Sequence, residues 1–168
     1  MSRSAQGYSK LQIWLHWIVV LLVLFQFVGN QGMGNAWEAL EHGRTAEAAD
    51  LQWAYLHAGA GVLTLLLVFW RFYLRFTRGS PPLPENEPPA LRIAAHGTHL
   101  LLYALLVVVP LSGAMAWFGG VEEAADTHEV LKTVLLAVVL LHIAGALYQR
   151  FILKSRVLER MIRADQDL

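Results

Sequence analysis

A chain of 168 residues of which 56% are hydrophobic and 15% charged, with a mean hydropathy of +0.44, has room for one domain and is too apolar for an ordinary water-soluble one. Thirteen basic residues balance thirteen acidic ones, so the net charge provides no electrostatic footprint for nucleic acid. The absence of cysteine excludes disulfides, thiolate metal sites, iron–sulfur ligation and the C-x-x-C-H attachment of c-type haem.

The polar segment 1–10, which includes Arg3 and Lys10, leads into an apolar stretch without a small-residue cleavage site, so that stretch is expected to be a retained helix and not a signal peptide. Four stretches approach or exceed the roughly 20 mostly apolar residues needed to cross a hydrocarbon core. They lie near residues 11–28, 53–76, 91–118 and 127–153. The expected fold is therefore an all-α membrane protein, a single four-transmembrane-helix bundle over residues 1–168. Of the connections, 29–52 is polar with Gly and Asn, 77–90 carries Pro81, Pro82, Pro84, Pro88 and Pro89, and 119–126 reads as a short acidic turn. No internal repeat is visible.

Lys and Arg set the expected orientation, because cytoplasmic flanks carry the excess. Eleven of the thirteen basic residues fall on one side: Arg3 and Lys10 before the first span, Arg71, Arg75, Arg78 and Arg92 about the second connection, and Arg150, Lys154, Arg156, Arg160 and Arg163 after the last. The other side holds Arg44 and Lys132 against Glu38, Glu41, Glu47, Asp50, Glu122, Glu123, Asp126 and Glu129. Both termini are expected to be cytoplasmic.

Six of the seven histidines (His16, His57, His96, His99, His128 and His142) fall inside the predicted spans, and only His42 is in a loop. An imidazole in hydrocarbon is costly unless something satisfies it. One such residue is as readily a helix-to-helix hydrogen bond as a ligand; six point to a cofactor. His128 and His142 are fourteen residues apart on the fourth span, which is about 1400° of rotation, within about 40° of whole turns, and roughly 21 Å of rise. One helix thus presents two imidazoles on one face at two depths, as two stacked haems would require, each iron taking a second imidazole from a neighbouring helix. The outer partner is His57; for the inner iron, spacing leaves His16, His96 and His99 open.

Arg71 follows His57 by the same fourteen residues and suits a haem propionate at the inner level, although an arginine there also fits snorkelling to the interface. Lys132 is the one predicted cation beside the outer level, placed to attract an anion or pair with a propionate. Gly59, Gly61, Gly97, Gly113 and Gly145 leave gaps that suit either a porphyrin or close helix packing. Pro110 is expected to bend the third span or to reflect the tolerance of membrane helices for proline.

The run Tyr8-Ser9-Lys10-Leu11-Gln12-Ile13 with Leu15-His16-Trp17, His57 with Arg71 and Arg75, His96-x-x-His99 leading through Leu102-Tyr103 to Pro110 and Gly113, and the pair His128 and His142 together resemble the bacterial cytochrome b561 family from Tyr8 to about Leu153. The resemblance implies a di-haem b cytochrome of the inner membrane, related to the b subunits of hydrogenases and formate dehydrogenases, that exchanges electrons with quinone. In those relatives the first and fourth helices hold the inner haem and the second and fourth the outer. Carried over, His16 and His142 would ligate the inner iron and His57 and His128 the outer, with His99 as the competitor of His16, and His96 and His99 otherwise structural or quinone-related.

The expected function is electron transfer from a periplasmic-side donor, which the resemblance suggests to be superoxide, to ubiquinone near the cytoplasmic face. Ser9, Gln12, His99 and Gln149 are the candidate quinone contacts, although polar residues at helix ends also serve plain solvation. The expected partners are membrane lipid, quinone, and superoxide or another periplasmic redox donor. A second reading keeps the haems and makes the chain a membrane-anchor subunit that relays electrons for a separate periplasmic dehydrogenase or hydrogenase. A third, without haem, is a small proton or metal transporter; against it, His128 and His142 are too far apart to share one ion and the spans hold almost no carboxylates.

Overall fold

A computed structural model describes residues 7–81 and 88–164 of the chain; Arg3, Pro82 and Pro84 lie outside the described residues. Five α-helices follow one another: α1 Lys10–Val28, α2 Asn30–Glu41, α3 Ala48–Arg78, α4 Pro89–Gly119 and α5 Glu122–Phe151, with a 3-10 turn at Glu159–Met161. Among the described residues there is no strand. Helices α1, α3, α4 and α5 are long and apolar enough to cross a membrane. At 1.5 Å per residue the 31 residues of α3 or α4 extend about 46 Å. That exceeds the roughly 30 Å hydrocarbon core, so each is long enough for its ends to reach the headgroups.

Local chemistry sets the boundaries. Ser9 and Gln12 form a capping box at the start of α1: the Gln12 N–H donates to Ser9 Oγ at 3.3 Å and the Ser9 N–H to Gln12 Oε1 at 3.0 Å. Helix α3 stops at Gly79, whose φ of 75° suits only glycine, and α4 opens with Pro89 in its first turn and closes on Gly120 in the left-handed region.

Three expected boundaries are corrected. The connection 29–52 is not a loop: α2 occupies most of it, and α3 begins at Ala48. Met33, Ala36, Trp37 and Leu40 recur at helical spacing within it, but the stretch is too short and too polar to register as a span. The expected turn 119–126 shrinks because α5 begins at Glu122, where Glu122 and Glu123 face the positive end of the helix dipole. At its other end α5 stops at Phe151, two residues before the expected Leu153.

The helices pack in two pairs. α4 lies along α5 around a core of Leu105, Val109, Leu135 and Val138, and α1 lies along α3. The pairs join through α3 and α4, whereas α5 does not pack extensively on α1 or α3. Large apolar side chains such as Leu21, Phe69, Leu100 and Leu140 face outward, as lipid requires.

α2 is clamped to α3. Ala36, Ala46 and Ala54 are buried with Met33, Leu51 and Trp117 around them, and Gly32 lies so close to Trp53 that a Cβ there would be 2.6 Å from the Trp53 Cβ. His42 closes α2, its Nδ1–H donating to the Glu38 carbonyl at 2.9 Å. At the far end of the bundle the segment that follows α5 folds back on the helices: the Trp17 indole N–H donates to the Met161 carbonyl at 2.8 Å, and Arg150 pairs with Glu159 at 2.8 Å.

Gly32→Val is expected to displace α2 from Trp53 at a cost of about 1–3 kcal/mol, the usual penalty for overpacking. Faster proteolysis within residues 30–47 of the detergent-solubilised protein would show it, with Gly34→Ala as the control, since nothing lies within 4 Å of a Cβ there.

Candidate cofactor site

Five histidines project into the space between the two helix pairs, and they gather at two levels. Toward the acidic end, His57 of α3 faces His128 of α5 with ring centroids 6.1 Å apart. Toward the basic end, His142 of α5 faces His16 of α1 at 6.4 Å and His99 of α4 at 5.1 Å. The rings thus bridge α5 to α1 and α3, the helices it otherwise stands apart from. His96 is not among them: its Nδ1–H donates to the Arg92 carbonyl at 2.8 Å, and it borders a shallow apolar hollow with Arg92, Ile93, Gly97 and Leu100.

The acidic-end pair opens into a cavity of about 430 Å³ bordered by Gln26, Gly61, Gly113, Trp117 and Lys132 and covered by Met33, Trp37 and Glu41 of α2. The His128 Nδ1–H donates to the Val109 carbonyl at 2.9 Å, with Ser112 Oγ at 3.3 Å, which leaves Nε2 as the bare nitrogen. Gly113 is what allows this: a Cβ there would stand 3.0 Å from the His128 ring. Lys132 is only 19% exposed and pairs with Glu129 at 2.6 Å, so its charge is largely matched, and Glu41, Glu122 and Asp126 border the same cavity.

At the basic end Arg71 is half-buried, donates to the Gln12 carbonyl at 3.4 Å, and acts electrostatically on His16, His99 and His142. Arg75 sits over the Tyr103 ring at 6.0 Å. Burial holds the Tyr8 phenol above its ordinary value against the opposing Arg75 and Arg71 charges, so at neutral pH it remains a hydrogen-bond donor. The other candidate quinone contacts are engaged in helix ends: Ser9 with Gln12, Gln12 Nε2 with the Gly79 carbonyl at 3.2 Å, and Gln149 Oε1 with Ser155 Oγ at 2.8 Å. The His99 Nδ1–H donates to Ala95 O at 2.6 Å.

A family model described as prokaryotic cytochrome b561 matches residues 7–164. The chain belongs to that family. It is 36% identical to a cytochrome b562 of Cereibacter sphaeroides, covering 94% of this chain and 96% of that one. It is 29% identical to a probable superoxide oxidase CybB of Yersinia pestis (92% and 95%) and 27% identical to a cytochrome b561 homolog 1 of Escherichia coli K12 (92% and 96%). As a cytochrome b561 family protein it is a multi-pass electron-transfer protein of the bacterial inner membrane, and haem b is the cofactor the family implies.

The residues present fit that group. A transition-metal ion lies about 2.0–2.1 Å from an imidazole nitrogen, so two rings facing each other across one ion have centroids about 6 Å apart. His57 with His128 at 6.1 Å and His16 with His142 at 6.4 Å meet this spacing, whereas His99 at 5.1 Å from His142 is too close. Among the described residues no three His, Asp or Glu side chains gather as a bare metal ion would need. Two features of the site escaped the sequence: the helical cover supplied by α2, and Gln26, an amide in the last turn of the first span. Its place between Phe25 and Phe27 in an apolar run was the signal for it.

Gly113→Ala is expected to push the His128 ring from its bond to Val109 and lower haem content in the purified protein, as a pyridine haemochrome assay would register. Gly97→Ala, with nothing within 4 Å of the added Cβ, is expected to leave it unchanged.

Proposed function

We propose that this cytochrome b561 family protein holds two b haems, one between His57 and His128 and one between His16 and His142, and passes electrons from a donor at the acidic end to ubiquinone at the basic end. The observation that carries the reading is the pair of facing rings at 6.1 and 6.4 Å, at two depths, across helices that are otherwise apart. The eleven basic residues of the sequence support a cytoplasmic basic end and cytoplasmic termini. When bound, each haem supplies a one-electron carrier with no open coordination position, which favours electron transfer over oxygen binding.

The chain's own residues divide the remaining work. The two imidazole pairs hold the cofactors at fixed depth. Arg71, beside His16 and His142, would neutralise a propionate at that level, and Lys132, already paired with Glu129, would share its charge with one beside His57 and His128. His99, bonded through Nδ1 to its own helix, keeps Nε2 free to carry a proton toward a quinone at the basic end, where Tyr8 offers a neutral hydroxyl. Gln149, Ser9 and Gln12 shape that end of the bundle. With superoxide as donor the reaction balances as two superoxide and one ubiquinone with two protons giving two dioxygen and one ubiquinol.

The name of the Yersinia pestis relative supports superoxide. The acidic border of the cavity, Glu41, Glu122, Asp126 and Glu129, favours the second reading, a relay for a separate and positively charged protein donor, because carboxylates repel a small anion.

Wild-type protein is expected to give two haems per chain. His57→Ala and His16→Ala are each expected to hold one, and His99→Ala two. A colourless polypeptide expressed with ample porphyrin would overturn the proposal, and loss of a haem in His99→Ala would move the basic-end ligand from His16. Stopped-flow mixing with a superoxide source separates the donors: Lys132→Ala is expected to slow haem reduction if superoxide enters beside it, and equal rates would leave the protein-donor reading standing.

A further inference from the structure

Two polar atoms of the acidic-end site are buried with no hydrogen-bond partner among the described residues: Nδ1 of His57 and Oε1 of Gln26. Stranding a polar atom away from water costs free energy, and native interiors rarely leave one so. These two belong together. The Gln26 amide is already anchored on the same residue, its Nε2–H donating to the His57 backbone carbonyl at 3.1 Å, and both side chains border the one cavity. One orphan is a ring N–H donor whenever the other nitrogen binds a metal, and the other is a carbonyl acceptor. The terminal torsion of a glutamine is broad, so the Gln26 amide has freedom to turn its Oε1 toward the ring. Gly61 leaves the space: a Cβ there would press on Gln26 Nε2 at 3.2 Å.

We infer that Gln26 is a positioning residue for His57, clamping it twice, by Nε2–H to the backbone carbonyl and by Oε1 from the ring Nδ1–H. The inference rests on the two-haem reading, in which His57 Nε2 faces the iron. On the opposite side of the same site the Val109 carbonyl performs this task for His128. A ligating histidine that donates its second N–H is held in one tautomer and one orientation and becomes a stronger electron donor to the metal. Gln26 therefore stabilises the oxidised form of the acidic-end haem and lowers its potential relative to its neighbour.

Potentiometric titration of the purified full chain, read by optical and low-spin EPR spectra alongside the haem count, tests this. Gln26→Leu removes the acceptor: for the haem whose signal His57→Ala abolishes, the ferric-to-ferrous ratio at fixed poise is expected to fall about tenfold, about 59 mV for a one-electron couple, with the other haem unmoved. Gln26→Glu keeps the size and strengthens the acceptor, and is expected to shift the same haem the opposite way. Two haems with both potentials at wild-type values in the two variants, or both haems moving together in the same direction, would overturn the role of Gln26. If Gln26→Leu does not retain haem, Gln26→Glu alone decides, a downward shift supporting the clamp and no shift refuting it. Wild-type protein with other than two haems would instead remove the two-haem reading, and the clamp with it.

Discussion

An imidazole has nowhere to send its polar atoms in hydrocarbon, and that constraint organises this bundle. Water cannot solvate the ring, so each nitrogen must find a carbonyl, another side chain or a metal. The six histidines of the spans fall into two groups. His96 and His99 turn Nδ1 back on the carbonyl one turn earlier in their own helix. His16, His57, His128 and His142 instead face one another across the bundle. The helix packing conforms to this second group: α4 seals α5 from one side and α1 with α3 stand off on the other, leaving room where the rings meet.

The two levels differ in character although they share one motif. The basic-end level is gathered under Arg71 and Arg75, with the segment after α5 fastened to the helices by Trp17 to Met161 and Arg150 to Glu159. The acidic-end level is a roofed cavity, and its half-buried Lys132 is matched by Glu129. A quinone head group that must take up protons and an electron donor that must be selected make different demands, and the proposed direction of electron flow runs from the roofed level to the basic one. Small residues follow the same logic. Gly32 admits Trp53 and fixes the roof, while Gly113 admits the His128 ring, so that of the two roles open to Gly113 in the third span it serves close packing.

Much of this was legible along the chain. Hydropathy alone locates the four spans, because about twenty apolar residues have few other uses. The fourteen-residue interval between His128 and His142 announces two levels, because helical periodicity is rigid enough to carry a face across four turns. The charge segregation of the ends needs no fold to be seen. What periodicity cannot supply is distance between helices. His16, His96 and His99 sit at comparable depth, and only the packed bundle turns His96 outward, sets His99 at 5.1 Å from His142 and leaves His16 at 6.4 Å.

The same limit explains the rest. Helix α2 was hidden because its apolar face is short and is buried against residues outside itself, among them Trp53, Ala54 and Trp117. Gln26 stood in plain view as an amide within a hydrophobic run, yet its meaning depends on His57, thirty-one residues away. Sequence by itself determined the spans, their charge polarity and the depth of each imidazole, since these follow from local composition and helical rise. Tertiary structure decided which imidazoles face each other, what covers the cavity and which amide meets which ring, since these depend on how helices rotate and tilt against one another, and no periodicity within a single helix encodes that.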